Sequence, residues 1–219
     1  MSKRSPFTLW ICTLAVLLLT ASAAAAQITF TDPTGDDNGP GEYVYPTDAV
    51  YTRGSFDITE LSVDAKGKNV DFNVSVNSNL ENPWGMDNGF SVQMVWIFID
   101  TDGKEGSGFT TAPPGVNVQF APASAWDKLV ILSPQASARV KEEVGSKAEA
   151  MADAIIVPRR VTGSGRTISG KVKVKDIGEG DPATWGYQVV MQSNEGFPAE
   201  NDLLTRRVNE FEGQHRFGG

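Results

Sequence analysis

Residues 91–100 (SVQMVWIFID) constrain the fold of this chain more than any other segment. They are apolar almost without interruption and rich in β-branched and aromatic side chains, which predicts a strand. Such a strand has no polar face to give to water, so it must be central and covered on both sides. The surrounding segments supply partners. Val70, Phe72, Val74 and Val76 alternate strictly with polar residues, the period-2 mark of a half-buried strand, and Phe56, Ile58 and Leu61 do so approximately. Further strands are predicted over 127–132, 138–144, 154–157, 167–174 and 186–192, with Gly, Pro and Asn between them. The only sustained run of helix formers, 142–154, is interrupted by Gly145 and carries no apolar stripe. The expectation is an all-β protein, an antiparallel β-sandwich with at most one short helix.

The N-terminus reads as an export signal. Basic Lys3 and Arg4 precede an uncharged apolar run over 7–19 and the small-residue stretch 21–26, with cleavage expected after Ala26. The rival reading is an uncleaved anchor helix, against which the apolar core is short and the Ala-rich end resembles a peptidase site. On the export reading residues 1–26 are a signal peptide, 27–219 form one domain, and the protein is periplasmic, cell-surface or extracellular. Cys12, the one cysteine, leaves with the signal. The mature domain must then be held without disulfides, by its core or by another device such as a metal ion. Losing Lys3 and Arg4 takes the formal charge from −8 to −10. That balance disfavours nucleic acid and anionic membrane surface as partners. No later apolar segment has membrane-spanning length, so no membrane insertion is expected after cleavage.

Little in the sequence suggests catalysis. The mature chain has no thiol, and its only histidine, His215, lies near the C-terminus, which makes a nucleophile–histidine pair improbable. It has no zinc-type His/Cys cluster, no phosphate-cradling loop and no dinucleotide fingerprint. The protein is expected not to be an enzyme.

Oxygen ligands are more plentiful. Asp32, Asp36, Asp37 and Glu42 crowd into the turn-rich loop 31–45 (TDPTGDDNGPGEYVY), and Asp57 begins the next strand. Clustered carboxylates repel unless a cation neutralises them, and glycines allow the tight curvature that turns oxygens inward. The alternative is an acidic, solvated turn. A second acidic segment, Asp100–Gly103 written DTDG, lacks EF-hand spacing, because Lys104 and Thr111 stand where ligands belong. It reads as a tight turn whose first Asp caps backbone amides. Trp84, Trp126 and Trp185 fall near loop–strand junctions, with Tyr43, Tyr45 and Tyr187. Exposed rings stack on sugars, whereas a Trp beside a strand is more often core. Trp96, inside the apolar strand, is expected in the core.

Taken together, several segments resemble one family: the C-terminal domain of glucodextranase, a carbohydrate-binding-like β-sandwich. They are DPTGDDNGPGEYVYP at 32–46, FDIT at 56–59, NPWGMDNGFSVQ at 82–93, IDTDG at 99–103, AWD at 125–127, WGYQVVMQSNEGF at 185–197 and RFGG at 216–219. The resemblance implies a sandwich like family 9 carbohydrate-binding modules and DOMON-like domains, in which calcium commonly pins the N-terminal loop to the sheet. It favours Asp32, Asp36, Asp37 and Asp57 as calcium ligands, and it does not extend over 141–166. The function expected is a non-catalytic, calcium-stabilised module that binds glycan or polysaccharide, with Trp84, Trp126, Trp185 and Tyr43 as candidate ligand contacts. Two rivals are a structural or assembly protein that meets an envelope protein or a separate glucan-active enzyme, and a haem-carrying electron-transfer domain. Haem would need axial ligands from His215, Met86, Met94, Met151 and Met191.

Overall fold

The computed structural model describes residues 27–37, 44–194 and 201–204. The signal segment, Glu42, Tyr43, His215 and the RFGG terminus therefore lie outside the described residues. Two sheets pack face to face as a β-sandwich. The first has five strands in the order β1 (Gln27–Thr31), β2 (Ile58–Lys66), β3 (Asn69–Val76), β8 (Thr167–Lys173), β7 (Val161–Ser164). The second runs β6 (Ile155–Ile156), β5 (Lys128–Leu132), β4 (Gln93–Asp100), β9 (Gly186–Ser193). Pairing is antiparallel except between β5 and β6, where a helix crosses over and brings the chain back parallel.

The apolar segment that demanded two covers receives them. On β4, Val95, Ile97 and Ile99 point into the core between the sheets, while Met94, Trp96 and Phe98 point the other way into a second apolar cluster. β5 divides likewise, with Val130 and Leu132 between the sheets and Leu129 and Ile131 behind. The second cluster is roofed by α1 (Ser137–Lys147), by Val116 and Phe120, and by Leu203 and Leu204. β3 keeps its strict alternation, and its four apolar residues are fully buried. The irregular spacing of Ile58 and Leu61 has a cause: a register shift between Ile58 and Glu60 inserts one residue into β2.

The expected strand at 138–144 is instead part of α1. Only Val140 and Val144 of this helix are buried, one turn apart, which is the spacing of a helix resting one edge on a sheet. Gly145 is tolerated because nothing approaches the place a side chain would occupy. A 3-10 turn, Glu149–Ala154, follows and leads into β6. The four-residue α2 (Val174–Ile177) continues β8. β1 and β7 had no forecast in the sequence pattern. Among the described residues no helix is long and apolar enough to cross a membrane.

Candidate functional site

Three of the acidic positions expected to act together are on the N-terminal loop, and the fold carries Asp57 to meet them. The loop after β1 is clipped to β2 by the Asp32 amide, which donates to the Thr59 carbonyl (2.9 Å). Gly35, at φ 85, then turns its N–H onto Asp57 Oδ2 (2.7 Å), which also accepts from Asn77 Nδ2 (3.0 Å). Asp57 is 2% exposed, and its other oxygen, Oδ1, is buried with no hydrogen-bond donor among the described residues. Asp37 Oδ2 is in the same condition. Burial raises the Asp32 carboxyl above its ordinary value, and the negative charges of Asp36 and Asp57 raise it further. The Asp37 carboxyl is also raised, first by burial and then by Asp57, with Asp36 adding and Arg53 opposing. The carboxyls of Asp32 and Asp37 thus feel the charges of Asp36 and Asp57, and all four are hard oxygen donors, but among the described residues no three of them bring oxygens within 4.8 Å of one another.

DTDG is the tight turn the sequence predicts. Asp100 Oδ1 accepts the amides of Asp102 (3.2 Å) and Gly103 (2.8 Å). Asp102 Oδ1 accepts the Lys104 amide (2.9 Å) and the Ser107 hydroxyl (2.8 Å), and these bonds hold its carboxyl below the ordinary value. Asp127, from the AWD segment, joins them and accepts both the amide and the hydroxyl of Thr101 (2.8 Å each). Carboxylate oxygens of Asp100, Asp102 and Asp127 lie within 4.8 Å of one another. Donated hydrogen bonds account for this cluster, unlike the one around Asp57.

The tryptophans separate clearly. Trp126 is 0% exposed, packs against Phe98 and Phe109, and donates its indole N–H to the Thr111 carbonyl (3.1 Å). Trp185 is 5% exposed and belongs to the core between the sheets. Neither offers a ring face to a ligand, which corrects their assignment as sugar contacts. The amphipathic bulk of an indole at a loop–strand junction went to packing in both cases. Trp96 is buried as expected. Tyr187 packs against Phe30, with ring centroids 5.6 Å apart, and its hydroxyl donates to the Pro182 carbonyl (2.8 Å). Tyr45 packs on Phe56.

Trp84 differs from the other two, at 42% exposed. It stands on a loop that cannot easily move. Asn82 accepts the Met86 amide (2.8 Å) and donates to the Met86 carbonyl (3.0 Å), closing the turn beneath the ring. Asn88 Nδ2 donates to the carbonyls of Ser133 (3.1 Å) and Pro134 (3.2 Å), and the Gly163 amide donates to the Asn88 carbonyl (2.7 Å). Gly89, at φ 81, lies so close to strand β7 that a Cβ there would meet the Gly163 carbonyl oxygen at 2.8 Å. Trp84 thereby edges a cleft of about 560 Å³ between its own loop, the start of α1 and the connection from β6 to β7. Asp87 and Arg159 supply charge to the walls, and Met86, Ile131 and Val157 supply apolar surface. An aromatic plate beside mixed polar and apolar walls is the composition of small-ligand sites.

The methionines weighed as haem ligands are dispersed. Met94 and Met151 pack in the cluster beneath α1, Met191 packs against the core between the sheets, and Met86 lines the cleft. A comparison with curated proteins finds no match. The model of one family, described as the C-terminal, SLH-like binding module of glucodextranase, matches residues 28–219. That span takes in every described strand except the first residue of β1. It also covers 141–166, over which the individual motifs gave no guidance. The matched family is a binding module and not the catalytic domain of the enzyme it is named for, and by this match the chain belongs to the glucodextranase C-terminal binding-module family.

Proposed function

We propose that this protein is an exported, non-catalytic module that binds carbohydrate in the cleft beside Trp84. One observation carries the reading: of the three candidate tryptophans, Trp84 alone keeps an exposed ring, and it edges a cleft on a rigidly tethered loop. Preorganisation matters because a ring already held in place loses little entropy when a sugar stacks on it. Family membership points in the same direction, since the family is one of binding modules. A cell-surface or extracellular setting suits such a module and agrees with the export signal expected at the N-terminus. The test is calorimetric titration of the folded protein against a panel of neutral and acidic polysaccharides. Binding of at least one is expected, and uniform absence of heat with folded protein would leave the envelope-protein reading in its place.

The same reading includes a structural calcium ion held by Asp57, Asp32, Asp36 and Asp37. Its support is the buried, undonated Oδ1 of Asp57 together with the raised carboxyls of Asp32 and Asp37. A buried carboxylate oxygen without a donor is costly, and a cation removes that cost while neutralising the repulsion around it. When bound, the ion would join the loop after β1 to the start of β2 and take the place of the disulfides the mature domain lacks. Chelation with readout by thermal melting tests this without reference to any glycan.

A further inference from the structure

The cleft at Trp84 does not end at Arg159. A second groove of about 400 Å³ shares Val157, Pro158 and Arg159 with it, and a third of about 460 Å³ on the outer face of the five-stranded sheet shares Lys171 with the second. Through these shared residues the three adjoin in series from the loop of Trp84 across to β7 and β8.

Its charge is opposite to that of the protein. The chain carries 27 acidic and 19 basic residues. Yet the middle groove is walled by Lys141 of α1, Arg159, and Lys171 and Lys173 of β8, against the single carboxylate of Asp176. Arg160 extends the series into the third groove. Alternation along β8 places Lys171 and Lys173 on the same outer face. Lys171 is 3.2 Å from Asp71, but Lys141, Arg159, Arg160 and Lys173 have no carboxylate within 4.0 Å among the described residues. All four are exposed. A surface rich in acids offers many partners to four such cations, and their collection along one groove leaves them available to a ligand.

We propose that this groove extends the carbohydrate site and selects a polysaccharide bearing anionic groups along its chain. The inference rests on the carbohydrate reading and adds the chemical class of the ligand. The aromatic plate of Trp84 would take an apolar sugar face, while the exposed cations read the repeated negative charge that follows. It also gives the segment 141–166 a role, since α1 and the β6–β7 connection supply Lys141, Arg159 and Arg160. Contacts of this exposed kind are screened by salt, so affinity should fall as ionic strength rises.

The test compares short oligogalacturonides with the same oligomers after carboxyl reduction, in low and high sodium chloride, with calcium held constant. The wild-type protein, Lys141→Gln/Lys173→Gln (two cations of the middle groove that do not line the Trp84 cleft) and Trp84→Ala are titrated in parallel. The expected result is tighter binding of the carboxylated oligomer by tenfold or more. That preference should weaken with salt and disappear in the double variant, which retains binding to the reduced oligomer. Because both substituted side chains are exposed, the double variant is expected to fold normally. Equal binding of the two oligomers, or a preference unchanged in the double variant, overturns the inference and leaves the carbohydrate reading standing. Binding of neither oligomer and of no member of the glycan panel overturns both. Equal or tighter binding of duplex DNA would show a general polyanion surface and overturn the assignment to a glycan.

Discussion

The two charged regions of this molecule differ in whether the fold can tolerate them as they stand. Around Asp57 the charge is buried: a 2% exposed carboxylate presents one oxygen to Gly35 and Asn77 and leaves the other without a donor. Along the groove from Arg159 to Lys173 the charge is exposed and hydrated. Buried charge without a counter-charge raises the energy of the native state, which is the ground for the cation proposed at the acidic region. Exposed charge costs little, so the basic groove can wait for a ligand. On the proposed account, like-sign clustering is structural in one region and serves recognition in the other.

The largest effect should come from removing the buried carboxylate. Asp57→Ala strips the acceptor from Gly35 N–H and Asn77 Nδ2, and a loss of about 3 kcal/mol is expected, given about 1.5–3 for a hydrogen bond to a charged group. Urea melts measure it. The variant should also lose its response to chelation, and a retained response would place the ion elsewhere, with Asp100, Asp102 and Asp127 as the next candidates.

Chelation of the wild-type protein is next in size. With free calcium at about one hundred times its dissociation constant, linkage gives roughly 2.7 kcal/mol, or about 5–10 °C in melting temperature. The effect should depend on pH. The carboxyls of Asp32 and Asp37 are raised in the native state, so in the metal-free protein they impose no penalty while protonated. As pH rises through their native values they ionise at a cost, and metal-free stability falls. The gap between calcium-loaded and chelated melting temperatures should therefore narrow as pH falls from neutrality through the raised native values of these carboxyls. A gap of constant width would remove these carboxylates from the site.

Smaller effects sharpen the contrast from the other side. Asp100→Ala deprives the DTDG turn of the acceptor for two amides and should cost about 1 kcal/mol, with the chelation shift unchanged. Lys141→Gln/Lys173→Gln should change stability by no more than about 0.5 kcal/mol per site, because the side chains are exposed. A larger loss would mean that these cations are structural after all.

How much of this was legible in the sequence depends on how local each feature is. β3 and β4 were readable because a strand's period and apolar run report directly on which faces are covered. The acidic N-terminal loop could be anticipated because turn chemistry and crowded carboxylates mark it within a short stretch, whereas the approach of Asp57 is made by the fold, through its bond from the Gly35 amide. The segment 138–144 was misread because Ala138 and Val140 mimic alternation. What decides it is the pairing of Val140 with Val144 against the back of the sheet, a tertiary fact. Trp126 and Trp185 were ambiguous for a similar reason, since an indole near a loop looks the same in sequence whether it faces the core or water. The cleft was beyond reach because three separated segments build it, around Trp84, Ser133 and Arg159. No local pattern says that they meet.

The central claim is that Trp84 is the stacking platform of a carbohydrate site, and calorimetric titration of Trp84→Ala beside the wild type tests it most directly. Truncating an aromatic anchor typically costs about 1–2 kcal/mol or more, so affinity for the bound polysaccharide should fall roughly tenfold with melting temperature little changed. Unchanged affinity in a folded Trp84→Ala protein would contradict the account.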